Sequence, residues 1–322
     1  MSTQIRKNLI TIVLPLWDRE IYTPTWIKEN LVDDFDYIIA DGSKTDANQN
    51  IFNTLSDRVN IRYIRYKFDE NIADYVKKML DAVSRVETPY VMTCDNDDFL
   101  HHKGIIQCVN ALEHHQDYGF SHGVVRKVTG LAENPQNGVK YYRLLSDKVD
   151  ISSLSGLMGI GAIKQLFRPY KYVWYGVYQS VICKKIWQQV ADSQIDNIFL
   201  LEMLQNQLAF AYGKMFSVNS THYIRLANPI TNSANQFKPS EYPDHHRIYF
   251  DEDYRSQVYK MSEIVANIIG VNSNDIYGEY RYFYSGLGRS SRLRTQLKAV
   301  IVDYLRDKIS PSLSIKLIKK II

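Results

Sequence analysis

Cysteine is scarce in this chain. Cys94, Cys108 and Cys183 are the only three, an odd number with no CxxC spacing. That argues against a disulfide framework and makes a reduced, cytoplasmic protein the expectation. Long apolar runs are absent as well. No stretch approaches the roughly 18 residues that cross a bilayer. The run from Leu9 to Leu16 is too short for a signal peptide and goes straight into Trp17-Asp18-Arg19-Glu20, so none is expected. Glycine is missing where a phosphate-cradling loop would need it, because Pro15-Leu16-Trp17-Asp18-Arg19 after the first apolar run contains none. A net positive charge is missing from the body of the chain. The formal net charge is +4, but Gly286 to Ile322 carries nine Lys/Arg and two acids, or +7, which leaves 4 − 7 = −3 for everything before it. With an acidic body and no basic stripe among its aromatics, a nucleic-acid partner is not expected.

What is present is apolar enough to fold. The 322 residues are 45% hydrophobic and 12% aromatic, which allows one large domain or a domain with an appendage. Leu9-Ile10-Thr11-Ile12-Val13-Leu14 is a continuous apolar run, as expected for a strand covered on both faces. Thr23-Pro24 resembles a helix entry, with Thr23 as N-cap. Asp36 to Ala40 is a second short strand, and Asn60 to Tyr66 alternates like a strand nearer an edge. Ile72, Val76, Met79, Leu80 and Val83 lie on one helical face, and Thr88-Pro89 ends that helix. A strand at Tyr90-Val91-Met92 follows, then a helix over 104–115 and a strand over 119–128. Residues 129–170 show little pattern and are expected to be loops. A helix opens near Asp196, a strand closes at 215–223, and 249–269 reads as a helix. Repeated strand–helix alternation predicts a mostly parallel α/β sheet with helices on both faces.

In such sheets ligands sit beyond the carboxyl ends of the strands. Pro15-Leu16-Trp17, Asp41-Gly42-Ser43 and Asp95-Asn96-Asp97-Asp98 all fall there. Three carboxylates at the end of a buried strand repel one another and are costly to desolvate. A hard divalent cation, Mg²⁺ or Mn²⁺, would remove that cost. The same four residues would also suit a solvated turn.

The order of these motifs resembles the GT-A glycosyltransferases, above all the large inverting family 2 type that uses nucleotide-sugar donors. The resemblance rests on Leu14-Pro15-Leu16-Trp17-Asp18-Arg19, Asp41-Gly42-Ser43-Lys44-Thr45-Asp46 and Thr88 to Phe99, and is good over residues 9 to 100. It implies a GT-A sheet in a domain of residues 1–235, followed by a helical region, 236–322, ending in a basic amphipathic tail. It implies a donor site of Pro15, Trp17, Arg19, Asp41, Ser43 and Asp95, and a DxD-type metal site of Asp95, Asp97 and Asp98. The family's Ala-Arg-Asn segment is replaced here by Val76-Lys77-Lys78-Met79, so Lys78, or Lys77, stands where a phosphate or base contact is expected; a solvated helix face is the alternative. His222 matches a position where such enzymes carry a histidine near the metal. Glu202 is the implied catalytic base, with Asp196 as fallback, because one acid of the family's pair is missing at Leu201-Glu202.

The expected function is metal-dependent transfer of a sugar from a nucleotide diphosphate sugar, a UDP-sugar above others, to a glycan or lipid-linked acceptor with inversion, in bacterial surface polysaccharide assembly. A nucleotidyltransferase and a non-catalytic carbohydrate-binding protein are the alternatives. The basic tail from about residue 290 fits a helix lying on an anionic membrane surface, which would make the protein peripheral on the inner face of the cytoplasmic membrane. Docking of the tail on the domain is the competing reading, and the oligomeric state is open.

Overall fold

The strand predicted from the first apolar run is β1 (Ile10–Leu16), buried along its length except at Pro15. Around it the chain builds β2 (Asp36–Asp41), β3 (Ile61–Arg65) and β4 (Tyr90–Thr93), all parallel to β1 directly or through a neighbour. The computed structural model describes residues 8–55, 57–58, 60–130, 133–134, 138–139, 142–168, 170–226, 247–249 and 251–284. The basic tail lies outside these residues. The described residues fall in two compact units, one within Met1–Met158 and Val173–Gln236, the other within Gly159–Tyr172 and Phe237–Ile322.

The first unit holds a nine-stranded mixed sheet. Eight strands follow the order β3-β2-β1-β4-β10-β6-β11-β5, with β5 at Phe99–Leu100, β6 at Tyr118–Gly130, β10 at Val177–Gln179 and β11 at Lys214–Leu226, and the ninth, β9 (Tyr142–Val149), pairs with β6 off this path. The strand read as nearer an edge, β3, ends the order. Beyond β4 the sheet turns antiparallel, since β10 opposes both β4 and β6, while β11 again runs parallel to β6. The helices α1 (Thr23–Asn30), α2 (Ala47–Asn53), α3 (Ile72–Ser84), α4 (His102–His114), α6 (Ser180–Ser193) and α7 (Ile198–Tyr212) belong to the same unit. The apolar stripe of α3 is buried at Ile72, Val76, Met79 and Val83, each contributing about 2 kcal/mol of transfer free energy. Asn71 caps α3 and Asn197 caps α7, each accepting backbone N–H bonds.

Several expectations need correction. Thr23 is the first residue of α1 rather than its cap, and its hydroxyl is spent on Asn48, 2.6 Å away. The 129–170 segment is not only loop. It contains β7 (Glu133–Asn134), β8 (Gly138–Val139), β9 (Tyr142–Val149) and α5 (Gly159–Leu166). The strand β9 is supported by pairing with β6, a long-range contact that local pattern does not carry. Helix α6 also went unread, because its apolar residues are interrupted by Lys184-Lys185.

The second unit contains α5, α8 (Glu252–Ile269) and α9 (Ser273–Tyr284). There Phe167 packs on Tyr280 and Phe283, and Arg168 reaches Glu279 at 2.6 Å. No helix among the described residues is long and apolar enough to cross a membrane.

Where β6 and β11 run side by side, two histidines meet in the core. His122 and His222 are fully buried, with ring centroids 4.5 Å apart. Burial lowers the His222 pKa to about 4 and pushes His122 down as well. An unfolded histidine titrates near 6.5. Between those values the unfolded chain binds a proton that the folded chain refuses, so stability is complete above pH 6.5 and is lost as pH falls toward 4. The full effect of His222 is about 3 kcal/mol. Urea unfolding followed from pH 7 to pH 4 should therefore lose stability less steeply in His222→Gln than in the native chain. An unchanged slope would show that His222 is not held neutral.

Candidate active site

Because β1, β2 and β4 are parallel, their carboxyl ends open onto one rim. That rim carries Trp17 to Arg19, Asp41 to Ser43 and Asp95 to Asp98, so the three polar motifs meet as predicted. The ligand-grade oxygens of Asp95, Asp97 and Asp98 lie within 4.8 Å of one another.

Two tyrosines from distant parts of the chain organise this turn. Tyr175, just before β10, stacks on Tyr223 of β11 with centroids 4.1 Å apart and planes 12° from parallel. The Tyr175 hydroxyl donates to Asp95 Oδ2 at 2.8 Å. The Tyr223 hydroxyl donates to Asp98 Oδ2 at 2.7 Å and accepts the Asp95 backbone N–H at 3.2 Å. Asp98 also accepts the Leu226 backbone N–H through Oδ1 at 2.8 Å, so both of its oxygens serve the fold. From the other side Asn30, at the end of α1, donates to the Asp98 carbonyl and accepts from the Leu100 N–H. Burial, then the neighbouring carboxylates, drive the pKa of Asp98 well up. Asp97 is raised by burial against the pull of Arg19, with which it forms an ion pair. The chain supplies less positive charge to the turn than the three acids carry, and the donor set is hard oxygen. Both features suit Mn²⁺ or Mg²⁺.

The first motif is bent sharply. Asp18 and Arg19 have φ of 55° and 60°, the left-handed region, which costs on the order of 1 kcal/mol or more per non-glycine residue. Compensating bonds hold them. Asp18 N–H donates to Ser43 Oγ, Lys44 N–H donates to Asp18 Oδ1, and Asn96 Nδ2 donates to the Arg19 carbonyl. Ser43 is further fixed by Asn48 at 3.0 Å.

The remaining predicted residues are placed as follows. Pro15 lies in β1 opposite Ala40, and Trp17 is half-buried just past that strand. Asp41 is fully buried, and its carboxylate accepts from Ser43 N–H and the Tyr63 hydroxyl while pairing with Arg65 at 3.3 Å. Lys78 is also buried. It donates to the Leu16 carbonyl at 2.8 Å and forms an ion pair with Asp69. A Cβ at Gly42 would lie 2.5 Å from the Asp69 carboxyl, so Gly42 permits this packing. Burial raises the Asp69 pKa to about 6 despite Lys78. His222 is not brought into the group of three aspartates. Its Nε2 donates to the Tyr175 carbonyl at 2.9 Å, one bond behind the turn. Glu202 is half-buried in the second turn of α7, and its charge acts on the Tyr175 hydroxyl, as do those of Asp95 and Asp98. Asp196 precedes the Asn197 cap.

Sequence reasoning missed Tyr175, Tyr223, Asn30, Asn48 and Asp69. Tyr175 lies in the aromatic run Trp174-Tyr175-Gly176-Val177-Tyr178 and Asn30 at the end of α1; nothing local marks the other three. Tyr223→Phe removes a charge-assisted bond to a buried carboxylate, so it should cost about 2 kcal/mol in urea unfolding. A loss below a few tenths would show that Asp98 does not depend on the stack.

Comparison with known proteins gives a consistent fold. Residues 11–167 match the model of glycosyl transferase family 2. No curated protein sequence matches the chain. Among solved structures, S. aureus TarS 1-349 is similar at a TM-score of 0.55 and 10% identity, over 92% of this chain and 80% of that one. The same TarS segment in complex with UDP-GlcNAc gives 0.53 and 11%, with 92% and 80% covered. Against a longer TarS structure the TM-score is 0.52 at 10% identity, and this chain, matched over 94% of its length, covers 49% of that one. The chain therefore has a fold of the GT-A type, and its residues 11–167 are similar to glycosyl transferase family 2.

Proposed function

We propose that the protein transfers a sugar from a nucleotide diphosphate sugar, a UDP-sugar, to a glycan or lipid-linked acceptor with inversion, and that the reaction depends on Mn²⁺ or Mg²⁺. The observation that carries this reading is the aspartate turn, held open onto the same rim as the first motif and the Asp41 turn. The TarS complex with UDP-GlcNAc, on a similar fold, supports a uridine donor.

In this reading Asp95 and Asp97 hold the cation, and Asp98 fixes the turn through Tyr223 and Leu226. The hydrogen bond to Asp95 and the ion pair to Asp97 both fall on Oδ2, which leaves Oδ1 of each to meet the ion. A bound divalent cation would neutralise charge on the leaving nucleoside diphosphate. Asp41 and Ser43 shape the nucleoside end of the site, beside Pro15 and Trp17. Lys78 acts from beneath, by tying the end of β1 to Asp69. His222 supports the site through the Tyr175 backbone. Glu202 takes the proton from the acceptor hydroxyl as that oxygen attacks the anomeric carbon and the carbon–oxygen bond to the diphosphate breaks. Residues 1–235 form the transferase domain in this proposal, and 236–322 a helical region whose basic tail meets the anionic inner face of the cytoplasmic membrane. Such a location suits a lipid-linked acceptor and surface polysaccharide assembly.

Release of UDP from a panel of UDP-sugars, with and without Mn²⁺, tests the proposal. Turnover should require the ion. Glu202→Gln should lower kcat by about 10²-fold or more while leaving UDP affinity near native. Asp97→Ala should abolish both turnover and ion-dependent UDP binding. No release from any nucleotide sugar would reject the transferase reading, and full activity in Glu202→Gln would remove Glu202 as the base.

A further inference from the structure

Asp97 is already paired inside the protein. Arg19 reaches it through Nη2, and both side chains are largely buried, at 11% and 9% exposure. The guanidinium also lies over the Tyr22 ring, 5.2 Å from its centroid, while its Nε has no hydrogen-bond partner. Arg19 stands on left-handed backbone directly after another left-handed residue, Asp18. Its carbonyl is held by Asn96, which belongs to the same turn as Asp97. The aspartate turn thus fixes the Arg19 backbone and receives its side chain. A bend of this kind, maintained in two non-glycine residues by bonds from Ser43, Lys44 and Asn96, delivers one cation to one carboxylate.

We infer that Arg19 is the resident counter-cation of the aspartate turn: Asp97 exchanges the guanidinium for the divalent ion as the donor enters, and the released Arg19 turns to the donor's diphosphate. The inference rests on the donor site proposed above. It assigns Arg19 a second task besides contact with the donor. Two cations compete for one carboxylate, so Arg19 opposes binding of the metal alone. Once the diphosphate is present, the displaced guanidinium gains an anionic partner, and the opposition becomes support. The site would then load ion and nucleotide together rather than the ion first.

Calorimetric titration of Mn²⁺ alone, and of UDP at saturating Mn²⁺, on the native chain, Arg19→Gln and Arg19→Met tests this. Both variants should bind Mn²⁺ alone about tenfold more tightly, because the competing charge is gone, and should bind UDP with Mn²⁺ about tenfold more weakly. Opposite shifts cannot come from a merely loosened site, which would weaken both. In the native chain UDP should also raise Mn²⁺ affinity by a larger factor than in either variant. Unchanged or weaker Mn²⁺ binding in both variants, with the native chain still binding UDP and Mn²⁺, overturns the inference and leaves the donor site standing. A native chain that binds no UDP in Mn²⁺ overturns the donor site and the inference together.

Discussion

Asp95 and Asp98 are held by the hydroxyls of two tyrosines lying face to face, and much of the first unit serves to bring those rings together. Tyr175 precedes β10 and Tyr223 lies in β11, some 80 and 128 residues beyond Asp95 in the chain. Their meeting requires β10 to enter antiparallel next to β4, and β11 to pair with β5 immediately after the aspartates. Burial costs of like-charged carboxylates are high. Charge-assisted bonds of about 1.5–3 kcal/mol each offset part of that cost. The antiparallel half of the sheet is therefore what keeps an otherwise unfavourable acidic turn in place.

The opposite wall is fixed by a different device. Lys78 and Asp69 form a buried pair beneath Gly42 and beside the end of β1. Ser43 and Asn48 then hold Asp18, and Asn96 holds Arg19, in a conformation neither residue would choose alone. Both walls converge on Asp97. It is the aspartate whose partner is a guanidinium rather than a phenol or a backbone amide, and in the proposal above it is the one whose partner a metal replaces.

Much of the parallel half was legible in the sequence because its signals are local. The apolar run of β1, the stripe of α3 and the three polar breaks each follow from periodicity or turn chemistry, and their common rim follows from parallel pairing. The resemblance supplied the role proposed for Asp95, Asp97 and Asp98. What could not be read depends on pairing across the chain. Strand β9 exists through β6. Tyr223 matters through its distance to Asp98, and Lys78, expected as a phosphate or base contact or else on a solvated helix face, is buried against Asp69. Glu202 was placed by the family's spacing alone, and it lies half-buried in α7.

The central claim is that the aspartate turn is a divalent-cation and donor-phosphate site held by the tyrosine stack. Anomalous diffraction at the manganese edge, from crystals grown with UDP and Mn²⁺, addresses it most directly. The account predicts one strong peak between Asp95 and Asp97, with Asp98 still bonded to Tyr223 and Leu226. Manganese bound elsewhere, or UDP bound away from this rim, would contradict it.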